Sequence, residues 1–291
     1  MIRSLVLGRI NMHKSTIAVI GGGNMGTCLA LGLLADNYPA DQLWMSNPSL
    51  TKLTPHKNKF GIHITRDNRQ ACAAADVIIL AVKPAVMPQV LTELTELIQQ
   101  RKPLIISTAA GVRATSLQQT LGGNIAIARA MPNTPALIGS GATGLYVNNM
   151  VSPVQRNLVE NIFRAVGMTV WLDDEKMLDA VTALSGSGPA YYFLFMECMQ
   201  QAGEQLGLSP EIARLLTLQT AFGATRMALE SEASLSDLRQ RVTSPKGTTE
   251  RALSIFTQKN LSEIVANALH AAQQRAAELA DLFDSAEEKN A

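Results

Sequence analysis

The sequence is short of the residues that mark secreted, metal-bound or nucleic-acid-bound proteins. It holds three cysteines, Cys28, Cys72 and Cys198, widely spaced and odd in number. That pattern excludes a disulfide framework and fits no zinc site, so no metal is expected. A reducing, cytoplasmic compartment is the expectation. Charge of one sign is also lacking: the net charge is +1 and no basic stripe is visible. Nucleic acid is therefore disfavoured as a partner. No segment supplies the about 18 uninterrupted apolar residues of a membrane helix. Met1–Ser15 mixes Ile2, Leu5, Val6, Leu7 and Ile10 with Arg3, Arg9 and Lys14. Its apolar core is too short for a signal peptide, and no small-residue cleavage site follows. Residues 1–15 read as an unstructured extension, with a second start residue, Met12, just before the first strand.

What is present is a large apolar fraction. The chain is 47% hydrophobic over 291 residues, enough for two domains or one large one. The stretch Thr16–Gly26 organises the rest. An apolar β-branched run leads into Gly21-x-Gly23-x-x-Gly26, and the small apolar residues Thr27–Leu34 follow. This is the order strand, tight turn, helix. Gly21 makes the turn, Gly23 admits a pyrophosphate to the backbone, and Gly26 lets helix and strand pack closely. The helix start, with Asn24 and Met25, offers free N–H groups to the phosphates. The flanking strand and helix separate this from an ordinary glycine turn and predict dinucleotide binding.

A further absence refines that reading. NAD-binding folds place an acid about 20 residues beyond the glycines to hold the ribose 2′-hydroxyl. Here the second strand, Leu43–Met45, ends in Ser46-Asn47-Pro48, with Lys52 close by. A carboxylate would repel a 2′-phosphate, whereas Ser46 and Asn47 can donate to one. The segment predicts NADPH as the preferred cofactor, NADH being the alternative; read structurally, it is a polar turn.

Strands are expected at Ile62–Thr65, Asp76–Val82, Leu104–Ser107, Ile125–Ala130, Gly144–Val147 and Met168–Leu172, with a helix over Val86–Gln100. Asp76–Val82 is a continuous apolar run, as in a strand buried on both faces. Its carboxyl end, Ala81-Val82-Lys83-Pro84, is placed to line a ligand; Lys83 alone reads equally well as a solvated charge. Met131-Pro132-Asn133-Thr134-Pro135 forms a rigid loop at another strand end. Alternating strands and helices predict a doubly wound α/β sheet. After Leu172 the strand signal stops. The division is a dinucleotide-binding domain over 16–172 and a helical domain over 173–291. Pro189 and Pro210 suit first helical positions. Tyr191–Met196 is apolar all round the helix, as in a buried one. A small domain has little interior for it, so a subunit interface is expected. The polar tail from Asp284 is expected to fray.

The second decisive stretch is Val242–Thr249. Pro245 and Gly247 force a turn, and a helix begins near Thr248 or Thr249. N–H groups at such a start hold a carboxylate. One hydroxyl would suffice for an N-cap; Ser244, Thr248 and Thr249 together lean toward a small anionic ligand.

These stretches together resemble the pyrroline-5-carboxylate reductase family, from Thr16 to about Leu282. The glycine loop is shared with many dehydrogenases. Ala128–Pro135 is more specific, and Asp179–Tyr191 paired with Val242–Thr249 is the most specific. The resemblance implies a Rossmann-like domain followed by a helical one that intertwines into homodimers, often in larger rings. It implies reduction of 1-pyrroline-5-carboxylate to L-proline by hydride from NADPH. Carried onto this chain, Ser244, Gly247, Thr248 and Thr249 bind the substrate, and Thr249 bonds the ring nitrogen. Ala81, Val82, Lys83 and Pro84 lie beside the nicotinamide ribose, and Asn133 near the nicotinamide. Lys246, where many relatives carry Gly, adds a cation near the carboxylate. Neither specific stretch centres on His, Asp, Glu or Cys. Hydride transfer to a protonated imine needs orientation and charge stabilisation more than a strong acid. His13, His56, His63 and His270 lie outside both and read as structural or surface residues. A reductase of another small imino or keto acid, or a non-enzymatic dinucleotide-binding relative, are the other readings.

Overall fold

The computed structural model describes residues 15–288, so the expected extension lies outside the described residues except for Ser15. The chain divides into two compact units. One runs to Gly186 and takes up the chain again from Ala272; the other is Ser187–Ala271.

The first unit is built on one eight-stranded sheet. Its strands are β1 Ile17–Ile20, β2 Leu43–Ser46, β3 His63–Thr65, β4 Val77–Leu80, β5 Leu104–Ser107, β6 Ile127–Met131, β7 Gly141–Val147 and β8 Gly167–Trp171. The order across the sheet is β3-β2-β1-β4-β5-β6-β7-β8. Every neighbouring pair is parallel except β6–β7, which is antiparallel. The carboxyl ends of β1–β6 thus share one edge, where β7 begins. β1, β4 and β5 are buried on both faces, as their unbroken apolar runs require. Ile17 and Val19 pack into a cluster with Leu29 and Leu33 of α1 (Asn24–Ala35) and Phe163 of α6 (Pro153–Arg164). Ala18 and Ile20 face the opposite cluster, with Leu91, Leu94 and Ile98 of α4 (Met87–Arg101) and Leu117 of α5 (Ala114–Thr120). Between them in sequence come the short helices α2 (Thr54–Phe60) and α3 (Asn68–Ala73).

β7 starts three residues before the expected Gly144. Gly141 and Ala142 lack strand-forming bulk, but Gly141–Thr143 pair in parallel with Gly167–Thr169 of β8. Tertiary pairing overrides local preference there.

The two units part at Gly186, not at Leu172. Helix α7 (Met177–Val181) and the π-helical turn Thr182–Gly186 belong to the first unit, with Leu178 and Ala183 buried. Gly144 makes room for Val181: a Cβ on that glycine would lie 2.9 Å from the valine side chain. The second unit holds α8 (Gly188–Gln205), α9 (Pro210–Glu230), α10 (Leu235–Arg241), α11 (Thr248–Gln258) and the start of α12 (Leu261–Glu288). The end of α12 is part of the first unit, burying Ala276, Ala280 and Phe283. Arg113 forks onto Asp281 at 2.6 Å and onto Asp284, which also accepts from the Ser116 hydroxyl. Asp284 is therefore not the start of a frayed tail; its carboxylate is a fastening point inside a helix that continues to Glu288.

Near these contacts lies a largely buried ion pair. Arg129 Nη1 meets Glu175 Oε1 at 2.8 Å, with side-chain exposures of 8% and 18%. The same carboxylate oxygen accepts from the Ala114 N–H at 2.7 Å. Removing one partner of a buried pair strands the other charge. Glu175→Ala should cost about 3 kcal/mol of unfolding free energy. Arg226→Ala breaks an exposed helical pair with Glu230 and should cost no more than about 0.5 kcal/mol. Urea unfolding of both variants checks the contrast.

Candidate functional site

The glycine loop joins β1 to α1, and its glycines do separate things. Gly21 sits at φ +109°, a left-handed conformation that a side chain would strain, and a Cβ there would lie 2.6 Å from the Ala81 carbonyl oxygen. At Gly26 the obstacle is space: a Cβ would come 2.0 Å from the Gly21 carbonyl oxygen. Gly23 differs from both, since nothing stands within 4 Å of where its Cβ would be. It is exposed and is the N-cap of α1, which has no side-chain cap and no acid in its first turn. The N–H groups of Asn24, Met25 and Gly26 precede the first intrahelical bond, donated by Thr27 to Gly23. An open backbone cradle with free donors and no nearby carboxylate fits the pyrophosphate of a dinucleotide.

The end of β2 is stitched to this loop. Gly21 N–H donates to the Ser46 carbonyl at 2.9 Å, and Gly22 N–H to Asn47 Oδ1 at 3.1 Å. Asn47 Nδ2 donates in turn to the Ser49 carbonyl at 2.8 Å. Ser46 departs from expectation. Its side chain is fully buried, and its hydroxyl donates to Asn68 Oδ1 at 2.7 Å. Period-two alternation puts residue 46 on the face of the sheet that α3 covers, so its hydroxyl is spent on α3 and not free for a phosphate. Asn68 in turn donates to Glu93 at 3.0 Å. Exposed polar groups just beyond β2 include those of Ser49, Thr51 and Lys52.

Ala81–Pro84 follows β4 directly beside the glycine loop. Ala81 N–H donates to the Ile20 carbonyl at 2.8 Å, while Lys83 and Pro84 are exposed at the edge. Asn133 follows β6 on the same edge, but its side chain is 9% exposed and already occupied. Its Nδ2 donates to the Ser185 carbonyl at 3.0 Å, and its Oδ1 accepts from Ala142 N–H at 2.9 Å. Asn133 therefore ties the β6–β7 connection to the π-helical turn. Cys28 and Cys72 supply no nucleophile: burial raises both thiols, and with Glu93 and Asp67 nearby Cys72 is pushed up to about 12. Among the described residues no cluster of His, Cys, Asp and Glu could hold a metal ion.

In the second unit, α11 begins at Thr248 with Gly247 as its N-cap and no side-chain cap. Gly247 N–H donates to the Ser244 carbonyl at 3.0 Å, closing the turn through Pro245 and Lys246. Lys246 lies at φ +60°. Its N–H donates to Glu250 Oε2 at 2.8 Å, a contact overlooked in the sequence although a Glu three residues past an N-cap is a known signal. Among the described residues the hydroxyls of Ser244, Thr248 and Thr249 hydrogen-bond to no protein group, so none of them serves as the cap.

Two family models match the chain. One, described as pyrroline-5-carboxylate reductase dimerisation, covers residues 175–279, and one described as NADP oxidoreductase, coenzyme F420-dependent, covers 16–111. A pyrroline-5-carboxylate reductase of Pseudomonas aeruginosa is 48% identical over 93% of this chain and 98% of its own length. The chain belongs to the pyrroline-5-carboxylate reductase family. A solved reductase of that name from Coxiella burnetii superposes with a TM-score of 0.87 at 49% identity, over 91% of this chain and 98% of the other. A Plasmodium falciparum pyrroline carboxylate reductase solved with NADP bound gives 0.83 at 30% identity, over 92% and 99%. The protein is an oxidoreductase of this family, with its Rossmann-like sheet and its helical dimerisation module, and it assembles as a homo-oligomer. Among the described residues no helix is long and apolar enough to cross a membrane.

Gly23 and Gly26 should separate experimentally. Gly23→Ala adds a methyl to open space, so Tm should hold while the dissociation constant for the dinucleotide rises about tenfold, one lost phosphate contact. Gly26→Ala should lower Tm by several degrees, because backbone must move. Thermal denaturation and fluorescence titration of the two variants check this.

Proposed function

We propose that the chain reduces 1-pyrroline-5-carboxylate to L-proline with NADPH, that the Ser244–Thr249 loop holds the substrate, and that Thr249 orients its ring nitrogen. The observation that carries the loop assignment is the glycine-capped helix start without a side-chain cap, ringed by three hydroxyls that have no hydrogen-bond partner among the described residues. A structural cap would have used one of them. The unpaired N–H groups of Thr248, Thr249 and Glu250 suit a carboxylate. A carboxylate anchored there leaves the ring nitrogen near the next hydroxyl, that of Thr249. Ser244 and Gly247 complete the substrate contacts. When bound, NADPH supplies the hydride that reduces the C=N bond. Gly21, Gly23, Asn24, Met25 and Gly26 hold its pyrophosphate, and Asn47 with the exposed groups beyond β2 faces its 2′-phosphate. Ala81–Pro84 lines the nicotinamide ribose, and Asn133 acts through the loop it fixes. The chain contributes orientation and fixed donors, the terms a protonated imine needs most.

Assembly belongs to the same reading. On α8, Tyr192, Phe193 and Leu194 are 68%, 63% and 61% exposed in the single chain. That is far more apolar surface than water tolerates on one helix. A homodimer, or a larger ring of dimers, covers it. The reducing cytoplasm fits two buried thiols and one exposed thiol, all free.

Phe193→Asp should convert the assembly to a monomer in sedimentation at micromolar concentration, because a buried unpaired carboxylate costs several kcal/mol, about 3–5. A stable wild-type monomer would sink the interface. Thr249→Val keeps shape and removes one hydrogen bond to a charged group, worth about 1.5–3 kcal/mol. Its kcat/KM for the imine should fall roughly ten- to a hundredfold, with NADPH affinity unchanged. Full activity in that variant, or loss of cofactor binding instead, overturns the assignment of the loop.

A further inference from the structure

The turn that precedes α11 carries a conflict between its shape and its sequence. Pro245 occupies its second position and Lys246, at φ +60°, its third. A positive φ at the third position is the type II arrangement, which favours glycine there. A lysine prefers the type I turn, in which the peptide plane between second and third residues is flipped over. The N–H that this plane carries is that of Lys246, and it donates to Glu250 Oε2 at 2.8 Å. Glu250 stands at the third helical position of α11, so its side chain reaches back over the helix start. The bond holds the one peptide plane whose rotation separates the two turn types. A Cβ on Gly247 would lie 3.0 Å from the Ser244 carbonyl oxygen, so the next link of the turn is tight as well.

We infer that Glu250 is a positioning residue for substrate binding: by holding the Lys246 N–H it keeps the Pro245–Lys246 peptide in the type II orientation that presents Ser244 and the Thr248–Thr249 helix start to the substrate carboxylate. This rests on the reading of the loop as the substrate site. The Glu250 side chain, spent on the Lys246 N–H, does not itself bind the substrate. Its charge works against an anionic ligand, so simple electrostatics and positioning predict opposite signs. Removing a carboxylate near a carboxylate-bearing substrate lowers KM if only Coulomb repulsion acts. Releasing the peptide plane raises KM, because the loop must be reordered each time substrate binds.

The test is steady-state kinetics on the intact oligomer with pyrroline-5-carboxylate and NADPH. Glu250→Ala should raise the imine KM roughly tenfold, the effect of one hydrogen bond to a charged acceptor. Its kcat should change less, and its KM for NADPH should stay put. Glu250→Gln, which keeps a weaker acceptor, should fall between. The decisive variant is Glu250→Ala with Lys246→Gly. Glycine takes the positive φ without help, so the imine KM should return to within about threefold of wild type. Loss of a helix-dipole partner would not be repaired by that second change, and a loss of general stability would appear in Tm without raising the imine KM selectively. Should Glu250→Ala fold poorly, Glu250→Gln against Glu250→Gln with Lys246→Gly reads the same sign. An unchanged or lowered KM in Glu250→Ala, or no rescue by Lys246→Gly, overturns the inference. Thr249→Val, run alongside, separates the two levels. If it loses kcat/KM while Glu250→Ala behaves as wild type, only the positioning role falls. If it loses nothing, the substrate reading of the loop falls with it.

Discussion

The close approach of α1 to the ends of β1 and β4 is the contact on which the nucleotide end of the molecule depends. At Gly26 the packing leaves 2.0 Å between a hypothetical Cβ and the Gly21 carbonyl oxygen, and at Gly21 only 2.6 Å to that of Ala81. Side chains at either place would push the helix off the strands. The N-terminus of α1 would then no longer stand over the carboxyl edge of the sheet, where parallel strands direct their ligands. The hydrogen bonds from Gly21 and Gly22 to Ser46 and Asn47 extend this fixed geometry across to β2. One tight junction therefore sets the positions of the glycine loop, the β2 end and Ala81–Pro84 together.

The glycine loop and the Ser244–Thr249 loop use the same physical device in different settings. α1 and α11 each start on a glycine N-cap without a side-chain cap. Most helices of this chain with a polar N-cap spend its side chain on their own N–H groups, as Ser152, Ser209 and Ser234 do. A glycine cap leaves those donors for something else. At α1 the open cradle and absent acid suit phosphate. At α11 the neighbouring hydroxyls suit a smaller anion with a second polar group to satisfy. What each start suits differs through its surroundings, since the start itself is the same.

The helical unit shows why a single chain is an incomplete description of this protein. Its helices carry large apolar side chains at positions that α8–α12 of one chain leave exposed, and Ala213 and Thr217 are among the few buried residues of α9. Apolar surface of that extent is stable only when covered. The unit lies within the stretch matched by the family's dimerisation module. The first unit, by contrast, closes two full cores on its own sheet.

By itself the sequence determined the elements whose signal is local. β5 falls where its apolar run places it, and the starts of α8, α9 and α11 follow from Ser, Pro and Gly at capping positions. The glycine spacing pointed to the nucleotide loop, and the unbroken apolar run Tyr191–Met196 pointed to a helix that the single chain leaves largely exposed. Tertiary structure decided what depends on partners distant in the chain. Alternation alone could not say that Ser46 faces Asn68 or that the Asn133 amide is taken by Ser185 and Ala142. The placement of the unit boundary at Gly186 and the return of α12 to the first unit rest on burial of Leu178, Ala183 and Phe283, with Arg113 gripping Asp281 and Asp284. The N–H of the left-handed Lys246 is held by a side chain four residues on. Local chemistry writes helices, strands and caps; which hydroxyl is left free, and which is already spent, is settled only when the chain folds back on itself.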